Sequence, residues 1–144
     1  MPDRRVTPTQ RIQIAERADN RCEYCQTPDA FAIHTYNVEH IIPRVKDGQT
    51  ILSNLAYSCS GCNSLKHTKT AGNDPITNEI APLYNPRQDR WSEHFAWKDN
   101  LLQIVGLTAT GRTTIAAIQL NRPGLMNLRR ALLAISEHPA TETE

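Results

Sequence analysis

The chain has 144 residues, 39% apolar and 22% charged, with a net charge of +1. That is enough for one domain with a core, and too polar and too short of apolar runs for a membrane-spanning protein. Charge is not segregated: residues 1–21 hold five Arg against three acids, and residues 22–74 hold four basic against five acidic groups. A polyanion would therefore have to be bound by local geometry or by a metal, not by a global basic field.

The start, MPDRRVTPTQRIQIAERADN, has no apolar signal core, and a cytoplasmic location is expected. Thr7 before Pro8 predicts a helix start, with Ile12, Ala15 and Ala18 on its apolar face and Asn20 as its stop. FAIHTYNVEH (31–40) is rich in β-branched and aromatic residues and predicts a strand. Residues 43–54 read as a polar loop turning at Asp47-Gly48, residues 54–59 as a second strand and residues 60–70 as a short helix. Residues 71–91 carry three prolines and read as irregular chain wrapped over the surface, pinned by Ile76, Ile80, Leu83, Tyr84 and Trp91. A strand over 100–108 and a helix from Thr110-Gly111 to Leu120 follow, the helix with Ile115, Ile118 and Ala116 inward. Asn121 is the expected cap of a last helix with Leu125, Leu128, Leu132 and Ile135 on one side, and the tail PATETE is expected to fray.

Cys22-Glu23-Tyr24-Cys25 and Cys59-Ser60-Gly61-Cys62 are CxxC pairs separated by 33 residues. Two such turns can complete a tetrahedron around Zn²⁺, and four sulfur ligands leave no open position, so this zinc would be structural. Two disulfides, a redox CxxC or four buried thiols are the alternatives. A cytosolic setting weighs against disulfides, and a redox motif needs only one pair.

CEYC, VEHIIPR (38–44) and DGQTILSNLAYSCSGCNSLK together resemble the HNH endonuclease pattern over about a third of the chain. The resemblance places the three named positions on His40, Asn54 and Asn63. Asn at the third gives an H-N-N variant, and Glu39 stands where Asp is usual. It implies an α+β fold: a small zinc-stabilised ββα-metal core (about 20–70) with flanking N- and C-terminal helices. Residues 71–138 would wrap it, and 1–144 would form a single nuclease domain. LYNPRQDRWSEHFAW and TGRTTIAAIQLNRPGLMNLRR are also similar to the C-terminal part of one branch of small bacterial HNH proteins.

The implied activity is metal-dependent hydrolysis of DNA phosphodiester bonds, giving 5′-phosphate and 3′-hydroxyl ends. Double-stranded DNA is the expected partner, with no membrane; a protein partner or a dimer is left open. A neutral imidazole can take a proton from water near neutral pH, which suits His40 as general base. Glu39 and the side-chain oxygen of Asn63 would hold a single catalytic cation. Oxygen ligands favour Mg²⁺ or Mn²⁺ there. Asn54 would fix the loop carrying His40. Arg44, Lys46, Lys66, His67 and Lys69 are candidate phosphate contacts, Lys66 foremost because the family often has Lys three residues after the third motif position. His34, His94 and His138 lack motif support, and Trp91, Phe95 and Trp97 read as cover for the core. The rival reading is a zinc-stabilised module that binds nucleic acid or protein without cutting; it would need the cysteines but not Glu39, His40 and Asn63 together.

Overall fold

A computed structural model describes residues 6–140; residues 141–144 of the tail read as fraying lie outside the described residues. Helix α1 (Pro8–Arg17) starts where Thr7 accepts a hydrogen bond from the Gln10 amide and Gln10 reciprocates to the Thr7 amide. This capping box satisfies two amides that the first turn leaves without helical partners. Ile14 is the buried anchor of α1, whereas Ile12 is 60% exposed, so the inward face is rotated from the expected one. Left-handed backbone at Asp19 and Asn20 turns the chain into the first CxxC knuckle.

Strands β1 (Asn37–His40) and β2 (Leu55–Ser58) form an antiparallel pair, with Glu39 opposite Ala56 and His40 opposite Leu55. The strand expected from residue 31 is confined to its last four residues. A strand persists only where it has a partner, and β2 is itself four residues long. Residues 29–31 instead make a short 3₁₀ turn, and Asp29 accepts a hydrogen bond from the Tyr57 hydroxyl at 2.6 Å. The intervening loop turns at Asp47, in the left-handed region, and at Gly48. A Cβ on Gly48 would lie 1.6 Å from the Ile42 carbonyl oxygen, so only glycine permits that approach. Helix α2 (Ser60–Lys66) follows β2 directly and completes a ββα unit.

The wrapping segment is more ordered than its prolines suggest. Residues 71–82 form a hairpin of β3 (Ala71–Asn73) and β4 (Ile80–Pro82). Its turn is organised by buried Asp74, which accepts hydrogen bonds from the Ile76 amide and the Thr77 hydroxyl and forms a two-pronged ion pair with Arg112. Leu83 and Tyr84 are the buried pins; Ile76 and Ile80 are 75% and 76% exposed and pin nothing.

Helix α3 (Trp91–His94) leads into β5 (Phe95–Trp97), which pairs with β6 (Ile104–Gly106). The expected strand over 100–108 shrinks to β6 because Asn100 caps a turn, accepting from the amides of Leu102 and Gln103. Helix α4 (Ala109–Ile118) is capped by Thr108. Ile118 is buried, together with Gly111, Thr113 and Thr114, and Ala116 is exposed. Helix α5 (Pro123–Ala134) starts after Arg122, not Asn121. The Asn121 amide is engaged elsewhere, accepting from the Ile104 amide and donating to its carbonyl like an extra strand residue. Leu125 and Leu132 are buried, while Ile135 lies past the helix end and is 56% exposed.

The fold is thus mixed helix with short antiparallel sheets. One core cluster joins the cysteines to Ile14, Tyr24, Leu55, Phe95, Ile104 and Ile118. Phe95 is in that core, with Trp91 and Trp97 packed beside it. Among the described residues, no helix is long and apolar enough to cross a membrane.

Candidate active site and metal centre

The two knuckles meet. One sulfur from each of Cys22, Cys25, Cys59 and Cys62 lies within 4.8 Å of the others, and Cys25 and Cys59 are 3.8 Å apart. Zn–S bonds of ~2.3 Å in a tetrahedron imply S···S edges of ~3.8 Å. The donor set therefore fits zinc. Local hydrogen bonds hold each knuckle. The Gln26 amide donates back to the Cys22 carbonyl at 2.9 Å, and the Cys62 amide donates to the Cys59 sulfur at 3.4 Å. Glu23 fastens the first knuckle to β2, with backbone and carboxylate bonds to Tyr57. Burial pushes the Cys22 thiol up, while hydrogen bonds from its neighbours hold Cys59 down. So crowded a set carries four thiolates together only when a cation offsets them.

The pleat of β1 sends neighbouring residues to opposite faces. Glu39 is buried and His40 half-buried, and both reach a cleft of about 260 Å³. Val38, Glu39, His40, Arg44, Asn63 and His67 are among its lining residues, contributed by β1, the loop after it and the end of α2. His40 Nε2 shares a 2.8 Å hydrogen bond with the Thr50 hydroxyl. Burial, aided by the charge of Arg44, holds the His40 imidazole below its ordinary value. His67 ends α2 in the left-handed region (φ 49°), which carries its exposed imidazole to the cleft.

The Glu39 carboxylate is already engaged. It accepts a hydrogen bond from the Tyr24 hydroxyl and lies 3.5 Å from Lys66 Nζ. Burial pushes its carboxyl up, against the opposing pull of Lys66 and Tyr24. Lys66 is 1% exposed and donates a further hydrogen bond to the Ile41 carbonyl at 3.1 Å. The expectation that Lys66 meets phosphate is corrected here: its ammonium is held inside, between α2 and the loop after β1. Breaking a buried pair of this kind by removing one partner costs about 3–5 kcal/mol, since the other charge is left uncompensated. Arg44, Lys46 and Lys69 are exposed. Arg44 lines the cleft, Lys46 reaches the Thr70 hydroxyl at 3.5 Å, and Lys69 donates to the Leu65 carbonyl.

Asn54 spans the loop. Its oxygen accepts from the Ile42 amide at 2.9 Å, and its nitrogen donates to the carbonyls of Ile42 and Gln49 at 3.0 and 2.9 Å. Thr50, which orients His40, and Tyr24, which holds Glu39, are absent from the sequence-level candidates. Nothing marks a threonine in a polar loop, and Tyr24 reads as a knuckle spacer until β1 is laid beside it.

The family model described as HNH endonuclease matches residues 22–69. The chain is also 27% identical over 114 residues to the Septu protein PtuB of Bacillus thuringiensis, covering 78% of this chain and 41% of that protein. The chain thus spans about two fifths of the length of that curated relative. No solved structure matches the chain significantly.

Proposed function

We propose, from the premise that residues 22–69 form a domain of the HNH endonuclease family, that the chain cuts DNA by metal-dependent hydrolysis of phosphodiester bonds, with double-stranded DNA as the substrate. The observation that carries the reading is the convergence of His40, Asn63, His67 and Arg44 on one open cleft beside a clustered four-cysteine set.

His40 is the general base. In the tautomer that donates Nε2–H to Thr50, whose hydroxyl lies 2.8 Å away, Nδ1 keeps its lone pair for the proton of the attacking water. Asn63 and Glu39 would hold the divalent cation, an amide and a carboxylate oxygen suiting Mg²⁺ or Mn²⁺, with His67 within the same cleft as a further donor to metal or phosphate. Such a cation, when bound, neutralises the phosphate and the departing 3′ oxygen. Tyr24 and Lys66 fix the Glu39 carboxylate, and Lys66 offsets its charge. The cleft consequently presents little net negative charge of its own, and substrate phosphate supplies the rest of the cation's ligand field. Asn54 orients the loop without moving a proton. Its truncation would strand loop backbone groups at about 1–3 kcal/mol each. Arg44 meets phosphate at the cleft mouth.

Purified full chain incubated with supercoiled plasmid is expected to nick it with Mg²⁺ or Mn²⁺ and to stop with EDTA. Plasmid binding without metal-dependent cutting would instead favour a non-catalytic zinc-stabilised binding module.

The acid limb of the rate profile has a predicted position. The base acts only when neutral, and its pKa is held down by burial and Arg44. Activity should therefore persist below the ordinary imidazole value of about 6.5 before failing. Arg44→Ala removes one of the two causes and should move the limb of kcat upward in pH, whatever it does to KM. A kcat limb that stays in place in that variant argues against His40 as the titrating base.

A further inference from the structure

Zinc bound by four thiolates carries a net charge of −2, and burying such an ion without counter-charge is unfavourable. One arginine, Arg122 at the cap position before α5, sits where that charge would be. Arg122 directs Nη1 to the Cys62 sulfur at 3.6 Å and Nη2 to the sulfurs of Cys62 and Cys59 at 3.6 and 3.7 Å. Its other hydrogen bonds go to the carbonyls of Ile118 and Gln119. No carboxylate among the described residues pairs with Arg122. A guanidinium drawn partly out of water without an acid is costly unless an anion lies nearby.

Gly61 supports the same placement. It lies between the cysteines of the second knuckle, and a Cβ there would come within 2.5 Å of Arg122 Nη2. The missing side chain is the opening through which the guanidinium reaches the sulfurs.

We propose that Arg122 is a positioning residue of the metal centre: its positive charge offsets part of the charge of the zinc tetrathiolate, and its N–H groups clasp α5 to the second knuckle. The proposal rests on the four cysteines holding zinc and is independent of the nuclease chemistry. N–H donation to coordinated sulfur makes the thiolate a poorer base and slows its release from the metal. Outer contacts of this type typically alter metal affinity by 10–100-fold.

The test uses the zinc-loaded chain and three variants: Arg122→Met, Arg122→Lys and Gly61→Ala. Zinc content is measured first, followed by the rate of zinc transfer to a coloured chelator, cysteine alkylation and amide exchange along α5. About one zinc per chain is expected in each. Arg122→Met should lose zinc about 10-fold faster, the low end of that range, with faster exchange in the first turn of α5. Arg122→Lys should lie between Arg122→Met and wild type. Gly61→Ala is the sharper variant. Alanine favours a helix over glycine, so stability alone predicts slower release, whereas displacement of Arg122 predicts faster. If Arg122→Met fails to fold, the other two decide. Wild-type protein without zinc would overturn the zinc reading and this proposal together. Zinc-loaded variants that release metal at the wild-type rate would overturn this proposal alone.

Discussion

Replacing His40 with alanine is expected to slow plasmid nicking by about 10²–10⁴-fold, the usual contribution of a general base, while zinc content and thermal unfolding stay near wild type. Activity and stability separate here because His40 sits at the end of β1 with its ring on the cleft face and outside the core cluster. Its cross-strand partner Leu55 is buried in the core cluster, of which His40 is not a member. Truncation thus removes a proton acceptor and one hydrogen bond to Thr50 without opening a cavity. Thr50→Val is the graded companion: it keeps the imidazole and removes its orienting partner, so a smaller loss than in His40→Ala is expected. Nicking by His40→Ala at the wild-type rate would end the assignment of His40 as base. Equal damage to rate and unfolding temperature would make His40 a structural residue.

The parts of the molecule legible in the sequence are those whose information is local. Two CxxC pairs state ligand type and geometry within four residues each, and the sulfurs do converge. Thr7 before Pro8 announces the start of α1 by side-chain chemistry that acts within one turn, whereas the Thr108 cap of α4 lies two residues before the expected start at Thr110. What depends on a distant partner was not legible. Composition alone does not reveal that residues 31–36 have no strand to pair with. The hairpin of β3 and β4 depends on Asp74, whose partner Arg112 is 38 residues away. Lys66 shows the same limit at the site. Its charge and spacing suggest phosphate, but Glu39 lies beneath it in the fold and takes the ammonium inward. Glu39 is buried and the adjacent His40 only half-buried on β1, so a shift of register by one residue would exchange their environments.

Removing one zinc ligand is expected to be the most damaging change to the fold. Cys25→Ser should abolish stoichiometric zinc and, with it, the cooperative thermal transition. β1 and β2 are four residues each and form a two-stranded sheet, which is marginal in water without further support. The knuckles provide that support: the first joins the end of α1 to β2 through Glu23 and Tyr57, and the second joins β2 to α2. The wrapping segment is fastened to the same places. Trp91 donates to the Tyr24 carbonyl at 3.0 Å, Arg87 pairs with Glu23, and Arg122 meets the second knuckle. Structural zinc contributes roughly 10–16 kcal/mol of apparent binding energy in small zinc-dependent folds, against a net stability of about 5–15 kcal/mol for a typical domain. The metal term is therefore as large as the whole margin, and losing it should unfold the core and not merely loosen it. Circular dichroism melts of Cys25→Ser, and of wild type with and without excess chelator, make the comparison. Loss of the sigmoidal transition in the variant and the chelated wild type, restored in wild type by one equivalent of zinc, is the expected pattern. An unchanged melting temperature after complete metal removal would mean that burial of the four cysteines, and not the ion, holds the knuckles together.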